Sequence, residues 1–388
     1  MMNPSDDHPR PVSGRITQLD IVRGVAVVLM VAGHSVDAVL APAPRLTEAF
    51  HSYELLRGLT APLFLLLAGF AFTIATVKYW DEHTTFGVKT SRRFLRAALL
   101  LTVGYALHLP FLSFGKILFG ATPDDYAQFL QADILQCVAL SLATLQLTVL
   151  LTRTHARHRA VALALGIGIA AVAPFAWSTN LEGILPRAII PYLNQQYWTL
   201  FPLIPYAAYM FLGSALGHSY LVARTRGNLQ SWYRHMAFGA VILFCAGVAS
   251  EIIPWKIYPG HDYWKASPGV VAMHAAVAMT VMTLFLRMRR FPLRLGRVAS
   301  LLGQSSLFVY VAHLIVVYGS VANPGLASLL GRELSVGAAL AVAAGVLLMM
   351  IGVTAGLRYL RGTYRIHLRI AQAGVASLLI YLFITQPY

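Results

Sequence analysis

Runs of about twenty apolar residues recur along this chain, and hydrocarbon admits such a run only as a helix, because an open backbone N–H or C=O finds no partner there. Eleven runs are centred near Met30, Leu66, Gly104, Ala139, Ile169, Met210, Phe244, Met279, Tyr310, Leu347 and Leu379. The expected fold is all-α: a polytopic integral membrane helical bundle of about eleven transmembrane helices set in the lipid bilayer. Composition agrees, since 57% of the 388 residues are hydrophobic and 12% charged, a balance that an ordinary soluble domain does not carry. Residues 1–18 read as a disordered cytoplasmic tail and residues 19–388 as a single transmembrane domain, with no evident internal repeat or long linker. The tail lacks a signal-peptide core, and Pro44 disfavours cleavage after the "APA" at Ala41, so the first helix is expected to remain as an anchor.

A formal charge of +15 would suggest nucleic acid as a partner if it covered a soluble surface, so its distribution decides its meaning. Alternate segments hold 22 of the 30 Lys and Arg, including Arg92, Arg93 and Arg96, Arg153, Arg157 and Arg159, and Arg358, Arg361 and Arg365. The intervening segments hold 7, from Arg45 and Arg57 to Arg332, and Arg23 lies within the first span. By the positive-inside rule the N-terminus is cytoplasmic and the C-terminus outside. Charge here reports topology, and nucleic acid drops out. With no eukaryotic targeting signal, the expected location is a bacterial inner (plasma) membrane, crossed many times. Cys137 and Cys245 fall inside spans and read as packing residues. His155 and His158 have no third ligand nearby, so no metal is expected, and neither a P-loop nor a dinucleotide fingerprint occurs.

The first span carries four ionisable groups, Asp20, Arg23, His34 and Asp37. Residues eleven apart on an α-helix lie within roughly 20° of each other and about 16 Å apart along the axis, so Arg23 and His34 share one stripe. Arg23 sits at the cytoplasmic end and could snorkel to headgroups. His34 is too deep for that, and Asp37, one turn beyond, could hold its ring. Ionisable groups at such depth usually line a cavity or pathway.

Similar accounting finds Asp133 and Gln136 three apart on the fourth span, and Ser306, Tyr310 and His313 along one face of the ninth, with Gly303 a turn before. Either these groups hydrogen-bond helix to helix, or they bind substrate in a cavity that opens outward. His108 and His274, single histidines on mostly apolar helices, read as packing. Gly213 and Gly217 read as a close helix crossing.

"LDIVRGVAVVLMVAGH" resembles the opening helix of the transmembrane acyltransferase superfamily, which includes the acyltransferase-3 proteins and the heparan-α-glucosaminide N-acetyltransferase group. Arg23 and His34 match the Arg, ten residues, His pattern of acyltransferase-3 proteins. "PLFLLLAGF" (62–70), "ADILQCVAL" (132–140), "FPLIPYAAYMFLG" (201–213) and "GQSSLFVYVAH" (303–313) follow in that family's order. The heparan-type enzymes differ at the His34 position and place their proposed catalytic His in the following outer loop, where this chain has His51.

The resemblance implies an acyl-CoA-dependent O- or N-acetyltransferase that takes an acyl group, acetyl above all, from cytoplasmic acyl-CoA. The acceptor would be a hydroxyl or amine of a carbohydrate or glycoconjugate at the outer face of the cell envelope. Arg23, with Asp20, would hold the donor, acetyl-CoA in the simplest case. His34 would be the general base on the acceptor, or would take the acyl group covalently, with Asp37 beside it and His51 as the reserve base. Asp133, Gln136, Ser306, Tyr310 and His313 would contact substrate. Outer loops at 43–53, 114–129, 179–197 and 254–268, with Trp198, Trp255 and Trp264, could stack on sugars or belong to the interfacial belt. A homodimer is the assembly considered. Eleven helices with embedded Asp and His also describe a proton-coupled transporter or permease, and less well an envelope-assembly factor.

Overall fold

Seven helices open on a short polar side chain that accepts a backbone N–H from its own first turn: Thr47, Ser113, Asp133, Thr154, Asp262, Ser267 and Ser335. Such a cap removes one of the orphan donors every helix start leaves behind. The computed structural model describes residues 14–252, 258–288 and 291–386. In chain order the helices are α1 (Thr17–Val39), α2 (Glu48–Gly58), α3 (Thr60–Val77), α4 (Trp80–His83), α5 (Val88–Leu107) and α6 (Phe114–Gly120). Then come α7 (Pro123–Leu130), α8 (Ile134–Thr152), α9 (His155–Ser178), α10 (Leu203–Thr225), α11 (Leu229–Ile252) and α12 (Tyr263–Ala266). The last six are α13 (Pro268–Arg287), α14 (Leu293–Gln304), α15 (Ser306–Val317), α16 (Gly325–Leu330), α17 (Val336–Thr363) and α18 (Arg365–Thr385). No strand forms among the described residues beyond two isolated bridges, Leu40 with Leu334 and Ser320 with Asn323.

Each of the eleven expected span centres falls on its own helix. By length and hydropathy, however, eight helices qualify among the described residues, and a ninth if α14 and α15 count as one. The shortfall has two sources. In α5, Lys89, Arg92, Arg93 and Arg96 crowd the first half, and α10 mixes Tyr206, Tyr209, His218 and Tyr220 into its apolar sequence. Most of α10 is buried in protein, so its surroundings do not demand a wholly lipid-like surface. The expected ninth span is also not straight. It breaks at Ser305 with an 82° bend, which puts Gly303 on α14 and the Ser306, Tyr310 and His313 row on α15. Gly, Gln and two Ser in succession form a weak helical stretch.

The first helix begins at Thr17, so the described part of the expected tail is residues 14–16; residues 1–13 lie outside the described residues. Three segments read as outer loops hold short helices, α2, α6 and α7, and α12, and a 3-10 turn at Ile190–Tyr192 lies in the fourth. Trp255 lies outside the described residues; Trp198 and Trp264 are exposed.

The chain divides into two compact units, one of residues 1–19, 61–105 and 131–289, the other of 20–60, 106–130 and 290–388. In the first, α9 packs along α10 and α11 along α13. Here α3 meets α10 almost backbone to backbone: a Cβ on Gly69 would lie 1.9 Å from the Met210 carbonyl oxygen, and one on Gly213 2.0 Å from that of Leu66. Only glycine permits that approach, as the Gly213/Gly217 spacing implies. In the second unit α1 crosses α14 in a similar way, a Cβ on Gly24 falling 1.8 Å from Ala299 O and one on Gly303 2.0 Å from Asp20 O. That crossing fixes the lower part of α1. Its far end is tied by Ala41 N–H donating to Leu334 O at 3.0 Å and Leu334 N–H to Val39 O at 3.0 Å. No residue of α18 is buried and α11 buries only Trp232, Ala240 and Gly247 among the described residues, which in a bilayer means apolar side chains facing lipid.

Candidate active site

Because α1 runs unbroken from Thr17 to Val39, Arg23 and His34 keep their common stripe. Leu29, on a different face, is open to the surroundings at 51% exposure; both stripe members are largely enclosed. At the Arg23 end, the guanidinium lies 3.9 Å from Asp20, whose other oxygen accepts from Gln304 Nε2 at 3.4 Å. Arg23 and Asp20, expected to hold the donor, are thus brought together beside α14.

At the other end, His34 Nδ1 lies 2.9 Å from His313 Nε2, the rings stacked at 5.1 Å between centroids. His313 is wholly buried, and its Nδ1 lies 2.8 Å from Val309 O, an atom that can only accept. His313 Nδ1 therefore carries a proton, its Nε2 accepts in the neutral ring, and His34 Nδ1 must be the donor between them. This leaves His34 Nε2 as a bare lone pair, with no hydrogen-bond partner among the described residues. The fixed backbone of α15 thus sets the tautomer of a residue 279 positions away in sequence.

Around the pair, Tyr318 stands edge-on to His34 at 5.8 Å and donates to His34 O at 3.4 Å; Tyr310 stands edge-on to His313 at 5.7 Å. Ser306 lies half-buried on the same helix.

Asp37, expected beside the His34 ring, is instead gripped by two arginines. Arg45 Nη1 donates to its Oδ1 at 2.8 Å and Arg57 Nη1 approaches its Oδ2 at 3.2 Å. Arg45 also donates to the Asp37 and Leu40 carbonyls, at 2.6 and 3.2 Å, capping the end of α1. His51 is exposed on α2, on a different face from Arg57 six residues on.

Asp133 and Gln136 belong to the other unit and have a structural occupation. Asp133 caps α8, accepting from Ile134 N–H at 2.6 Å, and Gln136 Oε1 accepts from Asp133 N–H at 3.3 Å, a capping box. The D-x-x-Q spacing before an apolar run was the available signal for it. His274 meets Tyr209 at 3.4 Å across helices, as a packing histidine does.

Sequence reasoning passed over Tyr53, Arg57 and Tyr318, and treated His313 as a substrate contact. Their shared signal is spatial: α2 and the end of α15 reach the end of α1 only in the fold.

Helices long and apolar enough to cross a membrane, with His34 and His313 paired within one unit, define a class, a multi-pass membrane protein. The acyltransferase-3 family model, described as an acyltransferase domain, matches residues 16–358, and the chain belongs to that family of membrane acyltransferases. Comparison with curated proteins gives no match.

Proposed function

We propose that the protein transfers an acyl group, acetyl in the simplest case, from acyl-CoA on the cytoplasmic side to a hydroxyl or amine of a carbohydrate or glycoconjugate on the outer side of a bacterial inner membrane. The single observation that carries this reading is the hydrogen-bond chain Val309 O, His313, His34, which leaves His34 Nε2 free to take a proton. A base of this kind contributes about 10²–10⁴-fold in rate.

Arg23, seated by Asp20 at the opposite end of the same stripe, would hold the donor's phosphates or pantetheine. The Arg-rich segments on that side suit an anionic carrier. His313 is a positioning residue, and the Asp37 clamp holds Arg57 near the base. Among the described residues no side-chain hydrogen bond or ion pair ties His51 to this arrangement, so His34 is the better base.

The test follows labelled acetyl from acetyl-CoA in membranes that carry His34→Ala or His51→Ala. Loss in the first alone is expected; full transfer by His34→Ala would remove the proposed chemistry. Replacing Arg23 by Ala should raise the KM for acetyl-CoA. An unchanged KM would leave the donor site without its arginine.

A further inference from the structure

We propose that Tyr53 is a second catalytic residue: its hydroxyl donates a hydrogen bond to the carbonyl oxygen of the acyl group as negative charge develops there. This deepens the acyl-transfer reading and rests on it.

Tyr53 Oη is buried and has no hydrogen-bond partner among the described residues, although the ring packs on Phe50 at 5.6 Å. A buried hydroxyl without a partner costs stability that a role at a site can offset. Its position supplies one. Gly33, the residue before His34, has no side chain, and a Cβ there would lie 3.7 Å from Tyr53 Oη and 3.2 Å from the Cγ and Cδ of Arg57. The hydroxyl and the arginine stem therefore border the same notch in α1, one residue from the base. Tyr53 and Arg57 are four apart on α2, so one helical face presents both. Asp37 and Glu54 hold the Arg57 guanidinium at 3.2 and 3.9 Å, and Arg45 shares the Asp37 carboxylate. A neutral O–H donor with a fixed cation behind it is the pairing that a tetrahedral oxyanion requires.

In the reaction, the acceptor oxygen or nitrogen attacks the thioester carbon while its proton passes to His34 Nε2. The C=O pair moves onto oxygen, where Tyr53 O–H and the Arg57 charge receive it. Collapse restores C=O, breaks the C–S bond, and the departing thiolate takes the proton back from His34. Atoms, charge and the base are all restored.

Tyr53→Phe keeps the ring and removes only the unpartnered hydroxyl. The expected result is a fall of about 10²–10³-fold in kcat, with the KM for acetyl-CoA unchanged and the thermal midpoint unchanged or higher. Wild-type kcat in Tyr53→Phe overturns the proposal, and so does a fall in kcat that arrives with a lower thermal midpoint, which would assign the hydroxyl to packing. His34→Ala measured alongside separates the two claims. If it is inactive while Tyr53→Phe runs at full rate, the hydroxyl's role is lost and the base stands; if His34→Ala is active, the underlying reading fails first.

Discussion

His34 in one unit and His158 in the other are both enclosed imidazoles, yet their hydrogen bonds leave them in opposite chemical states. His158 spends both nitrogens, Nδ1 on Thr148 Oγ1 at 3.0 Å and Nε2 on Ser214 Oγ at 3.2 Å, and Ser214 continues to Thr73 at 2.8 Å. It ties α8, α9, α10 and α3 together and has nothing left for a substrate. His34 spends one nitrogen and keeps the other. His158 is fully buried and His34 partly so, yet what separates a structural histidine from a reactive one is whether a lone pair remains after the partners are counted. The region around His158 is in fact richer in imidazole, with the His155 ring tilted over Trp80 at 3.9 Å and 5.8 Å from His218.

His34→Ala gives the sharpest contrast and should lower acetyl transfer by about 10²–10⁴-fold. His313→Ala comes next: with the tautomer no longer enforced, kcat should fall by roughly 10–100-fold, as for other groups that orient a reactive histidine. Full activity there would detach the dyad from the chemistry. His158→Ala should leave kcat unchanged but destabilise by about 1–3 kcal/mol, since it strands buried Thr148 and Ser214 hydroxyls; a denaturation series in detergent measures this. His218, whose two ring nitrogens are buried without a hydrogen bond among the described residues, should tolerate Leu with no loss of thermal midpoint, or a gain.

The smallest expected effect is a pH dependence at His83, on α4. Burial, and then the Arg93 and Lys89 charges, hold its pKa down to about 4 from 6.5. The unfolded chain binds this proton first, so the stability from a neutral His83 is complete above about pH 6.5 and declines as the pH falls toward about 4. His83→Gln should flatten the stability profile across that window. An equally steep decline in the variant would assign it to other groups.

Much of this was legible in the sequence. Apolar runs located every long helix, and an eleven-residue interval placed Arg23 and His34 on one stripe because α-helical periodicity is local and unbroken here. The D-x-x-Q box at Asp133 was legible too, but its polarity pointed to a site when its spacing pointed to a cap. What could not be read was assembly across distance. His313 reaches His34 because α15 bends away from α14 at Ser305, and Arg57 reaches Asp37 because α2 folds back along the end of α1. Neither turn leaves a periodic trace, so the groups that set the base and surround it came only with the fold.

The central claim, that His34 keeps Nε2 bare because His313 holds its Nδ1 proton, is open to nitrogen NMR on protein whose histidines are labelled, with His34→Gln used to assign the resonance. At neutral pH the account expects a neutral His34 ring protonated on Nδ1, and a shift in that balance when His313 is replaced. A ring protonated on Nε2, or indifferent to His313, would contradict it.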